Sequence, residues 1–164
     1  MGLGKTVQVA VYLRALFDSD KINRVLIVVP ATMKSYWQTQ LNKWINDKEK
    51  QEDAEVESSA GENDLTIIQF DDKTRNERKK QIKQIRKHGG ILITSYGMVT
   101  SERMNLQDMS YDIIVLDEGH KAKNRNTAFR RDITALRVRK HKIILTGTPL
   151  QNNFSELWSV FDLV

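Results

Sequence analysis

Two adjacent carboxylates, Asp117 and Glu118, follow directly on Ile113, Ile114, Val115 and Leu116. Four apolar residues in a row, rich in branched side chains, read as a strand buried on both faces. In an open parallel sheet, ligands sit just beyond the carboxyl ends of the strands. This places Asp117 and Glu118 where a nucleotide and its metal would stand. Asp117 suits Mg²⁺, a hard cation that takes oxygen ligands and keeps several waters. Glu118 then suits polarisation of the water that attacks a γ-phosphate. The plainer alternative is an acidic strand-to-helix turn, with one carboxylate near a helix N-terminus.

A second group stands at the start of the chain. Gly2, Leu3, Gly4, Lys5 and Thr6 match the latter half of a phosphate-binding loop, G-x-x-x-x-G-K-[ST]. The glycines let backbone N–H groups approach phosphate oxygens, Lys5 would reach the β- and γ-phosphates, and the Thr6 hydroxyl would hold Mg²⁺. Residues 7–17 are apolar and of helical length, so the loop would feed a helix N-terminus, which favours anions. A short G-K-T alone is weak; joined to a later strand ending in Asp-Glu it becomes strong. The same opening residues also fit an N-myristoylation pattern, which would explain nothing else in the chain. The loop's first position and the strand leading into it would lie before Met1.

Composition narrows the class. The chain has 164 residues, 40% hydrophobic and 29% charged, enough for one domain with a sizeable core. No apolar run reaches the length of a membrane span, and no leader precedes the loop, so neither a membrane nor a secretory role is expected. The absence of cysteine rules out a disulfide framework and thiolate metal sites. Residues 46–64 hold eight acids and two lysines, so the rest of the chain carries +11 against an overall +5. A basic body suggests a polyanion, nucleic acid first, with plain solubility as the alternative.

The elements that must position these residues follow from periodicity. Residues 24–29 (RVLIVV) form a buried strand stopped by Pro30. Thr32 is the expected N-cap of a helix over 33–45, with Trp37, Leu41 and Trp44 on one face as core. Residues 46–64 break all periodicity and read as a disordered acidic surface insertion. A strand over 65–70 and a polar helix over 74–88 come next; the latter lies in a stretch, 73–87, with eight cations and one acid. That run is a solvated face or a phosphate-contacting one. His88 beside Gly89 and Gly90 reads as helix capping. Residues 91–95 form a strand closed by Thr94, Ser95 and Tyr96, then the strand over 113–116. Residues 121–142 are basic again, with a helix from Asn126 or Thr127 through Leu136. A strand over 142–145 ends in Thr146, Gly147, Thr148 and Pro149, and an apolar-periodic helix spans 154–164. Strands alternating with helices predict a three-layer α/β domain with a mostly parallel sheet and right-handed crossovers.

Together GLGKT, VPATMKSYWQTQLNKW, ILITSY, DEGH and LTGTPLQNNFSELWSVFDLV resemble the SWI/SNF-type DNA-dependent ATPases of helicase superfamily two, in the order of their first, P-loop RecA-like lobe. The likeness covers nearly all of the chain except the acidic insert. TGTPLQNN followed by ELW is its most specific string. DEGH is similar to the branch holding the Cockayne-syndrome group B and recombination-repair remodellers. The resemblance implies ATP and Mg²⁺ as cofactors, a nuclear protein, translocation on double-stranded DNA, and remodelling of chromatin or repair complexes. It also implies residue roles. Gly2, Leu3, Gly4, Lys5 and Thr6 match the nucleotide loop, with Thr6 and Asp117 toward the metal. Lys5, Asp117 and Glu118 match the catalytic set. His120 matches the position linking the nucleotide to the TGTP segment. Thr146, Gly147 and Thr148 match the segment coupling hydrolysis to lobe movement. Pro30, Ala31 and Thr32, with Thr94, Ser95 and Tyr96, match loops that touch one DNA strand at its phosphates, contacts that position without reading sequence.

Gln40 departs from the acid usual in the family. On this reading residues 1–164 form a partial helicase ATP-binding domain with its first strand missing. The second RecA-like lobe and its arginine finger are missing as well, so the chain alone is expected to be catalytically silent. Two other readings compete: an RNA helicase lobe of the same superfamily, disfavoured by the paired tryptophans and the QNN-x-x-ELW string, and a non-catalytic interaction fragment.

Overall fold

The computed structural model describes residues 4–46, 64–70, 74–119, 127–147 and 162–163. Gly2, Leu3, His120 and Thr148 lie outside the described residues. So do 47–63 of the expected insertion and nearly all of the helix expected over 154–164.

Five strands form one sheet: β1 (Arg24–Val29), β2 (Ile67–Gln69), β3 (Gly90–Ser95), β4 (Ser110–Asp117) and β5 (Arg137–Leu145). Their order is β2-β3-β1-β4-β5, and every pairing is parallel. Alternation along the central strands splits the core into two slabs. Val25, Ile27, Ile91, Ile93, Ile113 and Val115 face one side. Leu26, Val28, Leu92, Ile114 and Leu116 face the other. Helices must cover both faces of such a sheet. On the first lie α1 (Lys5–Asp18) and α2 (Lys34–Leu41), through Val9, Ala10, Leu13, Trp37 and Leu41. On the second lie α3 (Arg75–His88), α4 (Tyr96–Ser101), α5 (Arg103–Gln107) and α6 (Ala128–Thr134). The expected three-layer α/β architecture is therefore the one observed.

Local signals acted where the side chains supply them. Thr74 and Glu77 form a capping box at α3, and Thr127 accepts from the Arg130 N–H at α6. The start of β1 is fixed by Asp112, whose Oδ2 accepts from the main-chain N–H groups of Asn23 and Arg24 at 2.8 and 2.9 Å.

Three expectations need correction. Thr32 is not an N-cap: Pro30 leads into a 3₁₀ turn, Ala31–Met33, and α2 begins after it with no side-chain cap. The helix expected to run unbroken to Ile45 widens into a π turn, Asn42–Asn46. In that wider turn a residue turns through a smaller angle than in an α-helix. Trp44 is carried off the core face, 37% exposed and bonded to Gln40, while Ile45 is buried in its place. Finally, β5 begins at Arg137, not Lys142, because an edge strand with cationic side chains shows little apolar alternation. Just before the acidic segment, the Asn46 amide donates to the Leu65 carbonyl and accepts from the Leu65 N–H, at 3.1 and 3.0 Å. That clasp holds residues 46 and 65 side by side.

Candidate functional site

The register sets the strand ends level. Val29 pairs with Ser95, Val28 with Leu116, and Asp117 with Leu145. Pro30, Tyr96, Glu118 and Thr146 therefore follow their strands at one rim of the sheet, and Lys5 at the start of α1 meets them there. The hollow lined by Arg14, Asn23, Leu65 and His88 lies at the opposite, amino-end rim.

Asp117 is 8% exposed, and each carboxylate oxygen accepts one hydrogen bond. The Trp37 indole Nε1 donates to Oδ2 at 2.9 Å, and the Glu118 N–H donates to Oδ1 at 3.0 Å. The Tyr96 hydroxyl donates to the Asp117 main-chain carbonyl. Tyr96 packs its ring on Phe129 at 4.7 Å between centroids. Burial first, then the charges of Asp117 and Glu118, raise the Tyr96 hydroxyl well above its ordinary pKa, so it stays a donor.

Glu118 takes a left-handed backbone, φ 54. That conformation is costly for a side-chain-bearing residue and persists only where neighbours fix it. The next residue, Gly119, shows one such neighbour: a Cβ there would stand 2.2 Å from Ile144 Cγ2. Across the rim, a Cβ on Gly147 would stand 3.2 Å from Glu118 Oε1 and 3.3 Å from Lys5 Nζ. Lys5 and Glu118 thus face one another over a glycine that leaves the space between them open. Gly4 is left-handed at φ 68 as N-cap of α1, and the first turn holds no acidic residue. The positive end of α1 favours negative charge at this rim.

The sequence model of the family described as SNF2-related domain matches residues 1–164. The chain belongs to the SNF2-related domain family. Among relatives of this SNF2-related domain, the bovine DNA excision repair protein ERCC-6-like is 33% identical over 167 residues, covering 99% of this chain and 12% of its own length. The yeast DNA repair and recombination protein RAD26 is 31% identical over 194 residues, covering 100% of this chain and 18% of its own length. The chain thus spans under a fifth of these relatives. The Sulfolobus solfataricus SWI2/SNF2 ATPase core in complex with dsDNA superposes with a TM-score of 0.77 at 24% identity, over 100% of this chain and 30% of that one. This likeness shows a shared fold.

Of the residues singled out from sequence, the structure of this SNF2-related domain brings Gly4, Lys5, Asp117, Glu118, Thr146 and Gly147 to one rim. Pro30, Ala31 and Thr32 lie at the same rim, the last two in the 3₁₀ turn. Ser95 caps α4, its hydroxyl accepting from the Met98 N–H. Thr94 is not placed for an outside contact. It is fully buried within β3, and its hydroxyl has no hydrogen-bond partner among the described residues. All six residues of β3 are buried, Thr94 among them, so its hydroxyl does not reach the rim.

Three participants escaped the sequence reading. Trp37 passed as core packing, yet its N–H is spent on Asp117. Tyr96 carries a sequence signal for an outside contact and none for its bond to Asp117. Ile144 carried no signal, because a close approach to Gly119 is a pairwise fact.

Proposed function

We propose that this domain is the ATP-binding and hydrolysing lobe of a motor that moves on double-stranded DNA and displaces or remodels bound proteins, in chromatin or DNA repair in the nucleus. The observation that carries it is the meeting of Lys5 and Glu118 over Gly147, beside Asp117 at its strand end. A phosphate chain seated on the α1 N-terminus would lie between a cation and a carboxylate. Lys5 would bind its outer oxygens. Glu118 would accept the proton of the attacking water.

Mg²⁺ fits the donor set. Asp117 offers a hard carboxylate oriented by two N–H donors with lone pairs to spare, and Thr6 offers a hydroxyl at the start of α1. Among the described residues no three His, Cys, Asp or Glu cluster, as suits an ion held by one or two side chains together with phosphates. When bound, Mg²⁺ neutralises charge on those phosphates. The 3₁₀ turn after β1 and the start of α4 would meet one DNA strand. No helix among the described residues is long and apolar enough to cross a membrane. The likeness to relatives named for excision repair and recombination supports the same reading.

The test is made in the full-length protein. Glu118→Gln should keep ATP affinity while turnover falls about 10²–10⁴-fold, the usual worth of a positioned base. Lys5→Ala should weaken ATP binding as well. Unchanged turnover in Glu118→Gln refutes the assigned chemistry, and equal stimulation by RNA and duplex DNA refutes the DNA class.

A further inference from the structure

We infer that Trp37 and Tyr96 are positioning residues that tie the two DNA-facing segments to Asp117, one from each face of the sheet, so that DNA engagement and nucleotide binding are coupled through Asp117. The inference rests on the reading under Proposed function, which places DNA at those segments.

A buried tryptophan needs an acceptor for its single N–H. Trp37 is fully buried among apolar side chains of the α1 and α2 layer, none of which can accept its N–H. Its acceptor is Asp117 Oδ2, 80 residues away in sequence. Trp37 stands in the first turn of α2, directly after the 3₁₀ turn Ala31–Met33. A shift of that turn toward a phosphate carries the indole with it. Tyr96 is placed in the mirror sense. It is the first residue of α4, its ring packs on the opposite slab, and its hydroxyl holds the Asp117 carbonyl. Asp117 Oδ1 is held by the Glu118 N–H, so a movement of Asp117 reaches Glu118 through the same hydrogen bond.

Coupling between two sites is reciprocal. If DNA draws either segment into place, affinity for the nucleotide changes, and nucleotide changes affinity for DNA by the same factor. Trp44, on the π turn continuous with α2, supplies an internal control: its Nε1 donates to Gln40, not to the site.

The experiment measures the affinity of a fluorescent, non-hydrolysable ATP analogue with Mg²⁺, with and without a short DNA duplex. It uses the full-length protein and its Trp37→Phe, Tyr96→Phe and Trp44→Phe variants. Duplex should tighten the analogue at least about fivefold in the wild type, the lower end of typical coupling. Trp37→Phe and Tyr96→Phe should each lose most of that factor, and Trp37→Phe should do so while keeping the DNA affinity measured without nucleotide. Trp44→Phe should keep it. If Trp37→Phe fails to fold, Tyr96→Phe, which removes one oxygen, decides. Full coupling in the variants overturns the inference and leaves the motor reading standing. A wild type that binds no duplex overturns both.

Discussion

Gly119→Ala is the sharpest perturbation available, because its effect comes from one interatomic distance. The new Cβ would lie 2.2 Å from Ile144 Cγ2. Non-bonded carbons settle at about 3.5–4.0 Å. The backbone after Glu118, or β5 at Ile144, must therefore give by more than an ångström. Forcing a methyl into a filled space costs about 1–3 kcal/mol. Against this, replacing glycine by alanine where the conformation allows it gains about 0.4–1 kcal/mol through the unfolded chain. The net expectation is a loss of about 1–2 kcal/mol. It should appear as a lower denaturant midpoint with unchanged slope. The offending atom belongs to the β-branch of isoleucine. Ile144→Leu removes that branch and keeps the volume, so it should recover most of the loss in the double variant. Ile144→Val keeps the branch and should recover little. The same displacement moves Glu118, so turnover should fall and return in step with stability. A Gly119→Ala protein as stable as its parent, or rescue by valine as good as by leucine, would refute the reasoning.

Three further outcomes are expected. Gly147→Ala places a methyl 3.2 Å from Glu118 Oε1 and 3.3 Å from Lys5 Nζ, so nucleotide affinity and turnover should fall with little change in melting temperature; parent-like turnover would show that Lys5 and Glu118 do not close over this residue. Tyr111 is fully buried, and its hydroxyl has no partner among the described residues, so Tyr111→Phe should stabilise by about 1 kcal/mol, the low end of the cost of an orphaned polar group. Burial holds that hydroxyl above its ordinary 10.0, so its titration leaves stability unchanged below pH 10.0 and lowers it as pH rises from there toward the folded value; the variant should lose less on alkaline titration, and an identical alkaline limb would refute this. Neutralising Lys79, Lys80, Lys83 and Lys87, all exposed on α3, should flatten the salt dependence of DNA binding by roughly one unit per phosphate contact, whereas an unaltered slope returns α3 to a solvated face. Arg86 is left out of that set because it pairs with Asp108 at 2.6 Å, and Arg78 likewise with Glu102 at 2.9 Å, both tying α3 to the ends of α5.

The chain's own order was enough for the sheet. RVLIVV, ILITS and DIIVLD are apolar on both faces, and residues that cannot meet water on either side leave a covered parallel strand as the fitting solution. Glycine before Lys5 and Thr6, and acids after β4, were legible because each carries its chemistry in its type. The helices starting near Thr74 and Thr127 were legible, and the structure adds that both threonines cap them, each hydroxyl satisfying a local N–H. Where the reading failed, the cause was not local. The π turn that exposes Trp44 and buries Ile45 answers to the surface beneath it, not to seven-residue spacing. Thr94 reads as a rim hydroxyl because it stands next to the strand's end, yet the layers covering β3 bury it fully.

The sequence by itself determined which groups were available: a cation, two carboxylates and a glycine-rich helix start, on strands that had to be buried. Only the tertiary structure decided which of them meet. Lys5 and Glu118 both stand against Gly147, Trp37 gives its one hydrogen bond to Asp117, and Ile144 requires a glycine at 119. Each of these is a distance between residues far apart in the chain. Composition and periodicity describe one residue and its near neighbours, whereas such distances are set by the register of five strands and the depth at which two helix layers settle on them.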